Sequence, residues 1–575
     1  MNFRISEQNS QSIVKRRTDK TLHMHHFIGT SLFRTLLSAL FVLPSLGILQ
    51  AASQSPKAPV VPKWTRFEHS FKSSIAYSNP LQQASFQVTF ISPIGKTNRV
   101  DGFWDGGKTW KVRFAPDQVG RWSYQTSCSD VSNRRLHDQR GVFICTAPIA
   151  GTAFQRHGPI KIARDHRHFE YADGTPFFWL ADTTWDGPRV AAAKDFADYA
   201  ATRSSQKFSV VQWSVAPGPG AKGDRPWSGT ERISIRPEFF QQLETKFEML
   251  SYSGLLSAIA PLNELDFQSS SSSNSPPPVG QLPDDQAALL LRYAVARWNA
   301  EPVAWLLMFE GDGQGRQANR WKKIGQAVFG NTQHAPVILY TRDTPWLLNE
   351  FREQSWVDAF AYQTLTDLSD DAMKWAMSGP FSMEWKNTPV RPVIPFTPAE
   401  NAPAGASGKR FSADDVRRAA WWSLLLSPPA GLSYSAHGVM NWDNNFDKAG
   451  DFPLWRKSLF MPAAKQMAQV SRFMNESGYW KLQPRPEYIS TQPGNVSPRA
   501  FVAAAGTEDK KLTVVYTPQE RTLDVAMPAL PDSPAISWLN PRTGETSAAV
   551  AVVGASCQLP TPDPGDWLLI MKASR

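Results

Sequence analysis

The chain has 575 residues, of which 42% are hydrophobic and 19% charged. It is too apolar to be disordered overall and long enough for two to four domains, which excludes a single small binding module. Lys+Arg number 61 against 51 Asp+Glu, but the first 52 residues carry six basic and two acidic side chains, leaving 55 against 49, a balance of +6, for the rest. So small an excess is weak evidence for a polyanion partner, and no nucleic-acid partner is expected. The 22 Trp, 33 Phe and 12 Tyr say more, because flat aromatic faces stack on sugar rings as well as fill cores.

Thr35 to Gln50 reads TLLSALFVLPSLGILQ, after a basic stretch and before Ala51-Ala52-Ser53. The run is shorter than the roughly 20 residues of a membrane span and is broken by Pro44 and Gly47. Residues 1–52 therefore read as a signal peptide, and the expected location is exported: periplasm, cell surface or secreted. From 58 to 148, runs such as ASFQVTFISP and GKTWKVRFAP alternate with Gly, Pro and Asp turns, predicting a β-sandwich without helices. Cys128 and Cys145 lie there, with two readings open, a disulfide across two strands or buried thiols. Cys557 reads as a small buried apolar residue. Three cysteines exclude a multi-Cys zinc site, and no metal or cofactor is expected.

Between 155 and 480, strand-like and helix-like segments alternate. Candidate strands are 176–185, 208–217, 255–264, 302–311, 336–343, 356–364, 391–400 and 431–442. Helical patterns appear in AAAKDFADYAATRSS, PEFFQQLETKFEMLSYSG, PDDQAALLLRYAVARWNA and SADDVRRAAWWSLLL, where Ser412 with Asp415 forms a capping-box pattern. This alternation predicts a (β/α)8 barrel. A Ser/Pro-rich loop, QSSSSSNSPPPVGQ, follows the third strand on the face where such barrels carry their chemistry. Short strands return from 485 to 575 and read as a small β-domain. The expected fold is thus multidomain α/β, a TIM barrel flanked by an N-terminal β-sandwich and a C-terminal β-domain.

Three groups of motifs carry a family resemblance. GFWDGGKTWKVRFAPDQVGRW resembles a small β-sandwich of no assigned activity that precedes many bacterial glycoside hydrolases. FFWLADTTWD, DDVRRAAWWSLLLSPPAGLSYSAHGVMNWD and MPAAKQMAQVSRFMNESGYWKL are similar to the apiosidase-like (β/α)8 glycoside hydrolase family. VVYTP, WLNPRTGE and GDWLLIMK are similar to a collagen-binding-type β-domain. The resemblance implies an enzyme acting on plant or microbial polysaccharide with two carboxylates, at the ends of strands four and seven. One carboxyl protonates the leaving oxygen while the other attacks or stabilises an oxocarbenium-like carbon.

On strand four, WLLMFEGDG puts Glu310 at the acid position, with Asp312 as runner-up. On strand seven, PVIPFTPAE puts Thr397 where the nucleophile is expected; Thr397 cannot replace a carboxylate without a base. Glu400, three residues on, is the candidate second carboxyl, with Glu384 as another source. The family positions for sugar binding fall on Asp182, Trp185, Tyr362, Gln363, His437, Asn441 and Trp442, and Trp213 adds a stacking face at the end of strand two. Asp182 also fits a helix cap, and His437 a core histidine. The expected partner is a poly- or oligosaccharide, acidic ones included, and a monomer is expected. Two rival readings stand beside the enzyme: a carbohydrate-binding barrel without turnover, and a surface adhesion protein.

Overall fold

Eight short runs supply the central barrel: β1 (Trp179–Thr183), β2 (Val210–Ser214), β3 (Leu256–Ala260), β4 (Val303–Met308), β5 (Val337–Thr341), β6 (Ala359–Gln363), β7 (Val393–Phe396) and β8 (Gly431–Tyr434). In the computed structural model all eight pair in parallel, in chain order, and β8 closes onto β1. It describes residues 58–575 apart from 217–223, 263–281, 309–314, 342–346, 380–381, 384, 443–453, 527–528, 530–533, 550–551, 554–556 and 574–575. Each strand lies within one of the eight predicted segments and is shorter, because the predicted segments ran on into the loops.

Helices α1 (Ala193–Ser205), α2 (Pro237–Tyr252), α3 (Asp284–Trp298), α4 (Arg316–Phe329), α5 (Asp370–Ser378), α6 (Ala413–Leu426) and α7 (Pro462–Ser477) surround the strands. After β5 the described chain makes only a 3-10 turn, Leu347–Phe351. The capping box opening α6 forms, with Ser412 accepting from the Asp415 amide and Asp415 accepting from the Ser412 amide. Pro237 and Pro462 open α2 and α7, where a missing N–H costs nothing.

Alternation sorts each strand into two faces. Ala181, Ala258, Ala260, Ala304, Leu306, Met308, Ala359, Ala361 and Phe396 share the interior cluster, the small alanines making room for Trp179, Tyr340 and Phe396. A three-stranded sheet (Ile160–Ile162, Phe169–Tyr171, Pro176–Phe177) plugs the N-terminal end, its Ile160, Phe169 and Phe177 joining that cluster. The outward residues, including Val211, Trp213, Leu307, Tyr362 and Tyr434, pack on the helices.

The N-terminal sandwich sets a five-stranded sheet against a three-stranded one over Phe67, Phe90, Phe114, Trp122 and Phe143. One four-residue helix, Pro80–Gln83, interrupts it, where no helix was expected. Cys128 and Cys145 are free buried thiols. Their strands pair so that Cys145 faces Gly120, at the far end of the Gly120–Cys128 strand, which corrects the disulfide reading. The C-terminal domain is a six-stranded sheet with a three-stranded one, and Cys557 sits in its core.

Buried ion pairs join both flanking domains to the barrel. Arg113 of the sandwich donates to Glu244 of α2 at 2.5 Å and to the Arg297 carbonyl at 2.8 Å. Arg297 of α3 donates to Asp105 at 2.8 Å. At the other junction Arg417 of α6 makes a fork onto Asp566, at 2.6 and 2.8 Å, and Tyr516 donates to the same carboxylate. The Arg-rich start of α6 is therefore the seat of the C-terminal domain.

Candidate active site

Towards their C-termini β1, β2, β5, β6 and β8 carry polar side chains of inward parity, Thr183, Gln212, Tyr340, Gln363 and Ser433, whereas β3, β4 and β7 end in Ala260, Met308 and Phe396. Gln212, the third residue of β2, is fully buried. Its Oε1 accepts from Thr183 Oγ1 at 2.8 Å and from Ser433 Oγ at 2.7 Å, tying β1, β2 and β8 together. Its Nε2 is buried and has no partner among the described residues. A buried amide held at one end leaves a donor unspent at the other, on the inner face of the barrel. Across the barrel Tyr340 donates to Gln363 Oε1 at 3.2 Å and stacks on Phe396 at 4.3 Å.

Of the sequence candidates, Trp185 and Gln363 have this inward parity. Trp185 is 8% exposed; its amide donates to the Met440 carbonyl and its own carbonyl accepts from the Ser214 amide. Gln363 is half-buried, its Nε2 donating to the Leu365 carbonyl. His437 and Asn441 lie beyond β8, on and just after a helical turn, His437–Met440, and not on the strand where they were expected. His437 is half-buried and Asn441 exposed, with Asn441 Nδ2 at 3.3 Å from His437 Nε2. Burial and the nearby Arg410 charge lower the His437 pKa to about 4, so the imidazole is neutral at ordinary pH.

The other candidates are placed away from the mouth, for one physical reason: each has outward parity or is bound by an outer element. Asp182 is fully buried between β1 and α1, where Arg203 Nε reaches its Oδ2 at 2.6 Å and Tyr199 donates to it at 2.7 Å. Burial pushes this carboxyl upward and Arg203 opposes the shift. Asp182 is thus neither a sugar ligand nor a helix cap. Trp213 packs on Trp298 and Phe247 of the helix layer, and Tyr362 faces the same layer. Trp442 stacks on Trp455 at 4.4 Å and against Tyr199, leaving no open face of the size a sugar needs.

Strand seven ends without an open carboxylate. Thr397 is 3% exposed and donates its hydroxyl to the Ser433 carbonyl at 3.0 Å. Glu400 is 2% exposed, with Oε2 accepting from Tyr434 at 2.8 Å and Oε1 from the Ala463 amide at 3.2 Å, in the first turn of α7. It anchors a helix N-terminus behind β8, in place of the catalytic position expected of it. Burial raises its pKa, against the pull of Tyr434, the Ala463 amide and Arg203. Glu310, Asp312 and Glu384 lie outside the described residues, as does the Ser/Pro-rich loop.

Gln212, Thr183, Ser433 and Tyr340 were not foreseen. The signal was present in VVQWS, where Gln212 and Trp213 must face opposite ways, and a polar residue inside a barrel strand needs a reason. Among the described residues no group of three His, Cys, Asp or Glu side chains stands close enough to hold a metal ion.

The family model of the apiosidase-like catalytic domain matches residues 163–481, more than half of the chain. A model of a domain of unknown function matches 60–129, and one described as "Putative collagen-binding domain of a collagenase" matches 488–572. One solved structure, of a glycoside hydrolase, is 17% identical with a TM-score of 0.63, covering 74% of this chain and 98% of its own. A glycoside hydrolase family 5 structure from Bacteroides vulgatus is 16% identical with a TM-score of 0.62, covering 73% and 95%. At such identities the likeness speaks for the fold alone. A search of curated proteins finds no match. The matched span and the closed parallel barrel place the chain in the apiosidase-like family of glycoside-hydrolase-like barrels.

Proposed function

We propose that this chain is an exported glycoside hydrolase acting on plant or microbial polysaccharide, with its substrate held at the C-terminal mouth of the barrel and Glu310 as general acid. The observation that carries this reading is the polar floor at that mouth, where Gln212 is fixed by Thr183 and Ser433 with its amide donor unspent. Such a donor suits a sugar hydroxyl, and Trp185 nearby offers an apolar edge. In the sequence Glu310 follows the inward-facing Met308 by two residues, the period of a strand. With Glu400 and Thr397 both bonded within the protein, Asp312 and Glu384 remain as candidates for the second carboxyl of a two-carboxylate mechanism. Export rests on the apolar run 35–50 and its basic flank.

The same withdrawal of Thr397 and Glu400 favours a second reading, a barrel that binds carbohydrate without cleaving it. One experiment separates the two. Purified chain and its Glu310→Gln variant are incubated with pectic and hemicellulosic oligosaccharides, and released sugar is measured. The enzyme reading expects release by the wild type and a drop of about 10²- to 10⁴-fold in the variant. Equal release from both removes Glu310 from the mechanism; binding by the wild type without release establishes the second reading.

A further inference from the structure

At the opposite end of the barrel, where the sandwich meets it, lies a cleft of about 230 Å³ lined by Trp64, Arg66, Glu248, Ser251, Tyr252 and Glu301 among others. Tyr252 ends α2 ahead of β3, and the cleft residue Pro302 immediately precedes β4. The cleft therefore belongs to the N-terminal face of the strands, away from the mouth.

Its chemistry is specific. Tyr252 is 79% exposed, an unusual position for a large aromatic side chain, and no ring or cation among the described residues stacks on it. Trp64 forms a wall and is not a platform, because Lys63 Nζ sits 4.1 Å over its ring. Arg66, the one cation lining the cleft, is spent on two carboxylates, Glu301 at 2.7 Å and Glu248 at 3.2 Å. Each carboxylate uses one oxygen in that contact, and no described group donates to the other. Ser251 Oγ is also buried without a partner among the described residues. A pair of acceptor oxygens beside an open aromatic face matches adjacent hydroxyls on a ring with an apolar side. Among the lining residues no cation is left over for an acidic ligand. The volume falls below the roughly 300 Å³ at which drug-sized sites begin, which suits a single ring.

We propose that this cleft is an ancillary site for a neutral sugar residue of a glycan chain, stacked on Tyr252 and hydrogen-bonded through its hydroxyls to Glu248 and Glu301. The choice of a sugar rests on the glycoside hydrolase reading above, but the site itself is independent of Glu310 and of the mouth. It gives the enzyme a second hold on a polymer it attacks elsewhere.

The test uses the full chain carrying Glu310→Gln, so that binding is read without turnover, in affinity electrophoresis through gels containing a neutral galactan, a neutral β-glucan or polygalacturonate. Retardation by a neutral glycan is expected, weakened about two- to tenfold by Tyr252→Ala and also by Glu248→Gln. Tyr252 is exposed, so its replacement leaves the fold intact, which an unchanged melting temperature verifies. The proposal is overturned if no neutral glycan retards the protein, if Tyr252→Ala weakens retardation by polygalacturonate and not by a neutral glycan, or if Tyr252→Ala migrates like its parent. It is also overturned if Gln212→Met, at the mouth, is what abolishes retardation. Failure of the hydrolase reading shows separately, as absence of sugar release by the wild type.

Discussion

Glu400 discriminates most sharply between chemistry and architecture. In Glu400→Ala, the Tyr434 hydroxyl and the Ala463 amide lose their acceptor in a site that is 2% exposed. Each orphaned buried group costs about 1–3 kcal/mol, and the lost carboxylate at the start of α7 adds about 0.3–1 kcal/mol. Burial already disfavours the ionised carboxyl, which offsets part of this, so the net loss falls near 2–4 kcal/mol. Calorimetry then shows the melting temperature falling by several degrees. A folded-state pKa raised above the ordinary 4.5 means that the stabilisation is complete below that pH and is lost as pH rises through the folded value. The wild type's advantage over the variant is therefore larger at pH 4 than at pH 7. Turnover per folded molecule, measured well below the transition on a glycan the wild type cleaves, stays within about tenfold, whereas removal of a nucleophile costs about 10⁴-fold or more. An unchanged melting temperature with abolished turnover refutes the reasoning.

Gln212→Met keeps the volume of the side chain and removes its donor. Thr183 and Ser433, 3.4 Å apart, then bond each other, so stability changes by less than about 1 kcal/mol. Oligosaccharide affinity by calorimetric titration drops about two- to tenfold, and an unaltered Kd contradicts the assignment. For His437, whose folded-state pKa is depressed to about 4, the unfolded chain takes up the proton first, so stability is lost as pH falls from the ordinary value near 6.5 towards 4. His437→Asn flattens that dependence, and a ring titrating near 6.5 in NMR spectra contradicts the burial. Asp566→Ala takes the forked carboxylate from the buried Arg417 guanidinium and leaves it only Asp414 at 2.8 Å and Gln466 at 2.9 Å, costing about 2–4 kcal/mol. Limited proteolysis should then cut at the C-terminal junction, and the double change Arg417→Met with Asp566→Leu should restore resistance.

Periodicity and turn chemistry carried the architecture well. All eight barrel strands lie inside segments read from the sequence, and the Ser412–Asp415 box marks the start of α6 where expected. What was hidden is which way a side chain points when its partner comes from elsewhere. Asp182 stood out as a carboxylate at a strand end, but its Arg203 lies on the next helix, and the pair is visible only once α1 folds back. Trp213 attracted attention by its size, although alternation along β2 gives the inward place to Gln212. Glu400 follows Pro395 and Pro398, which obscure strand parity, so its route to Tyr434 and α7 had no local signature. Cys128 and Cys145 are separated by a long connection that leaves the hairpin register unspecified, and the register decides whether they meet.

The forked Arg417–Asp566 contact and the Arg113–Glu244–Arg297–Asp105 chain bear on how this protein can be cut. A fragment spanning 163–481 contains every barrel strand and all seven surrounding helices, and looks self-sufficient on paper. Excision would strip Arg297 and Arg417 of their outside partners and bare Trp422, whose indole donates to the Phe501 carbonyl. The flanking domains thus behave less like appendages than like the missing outer wall of the barrel, and dissecting their roles calls for point changes within the intact chain.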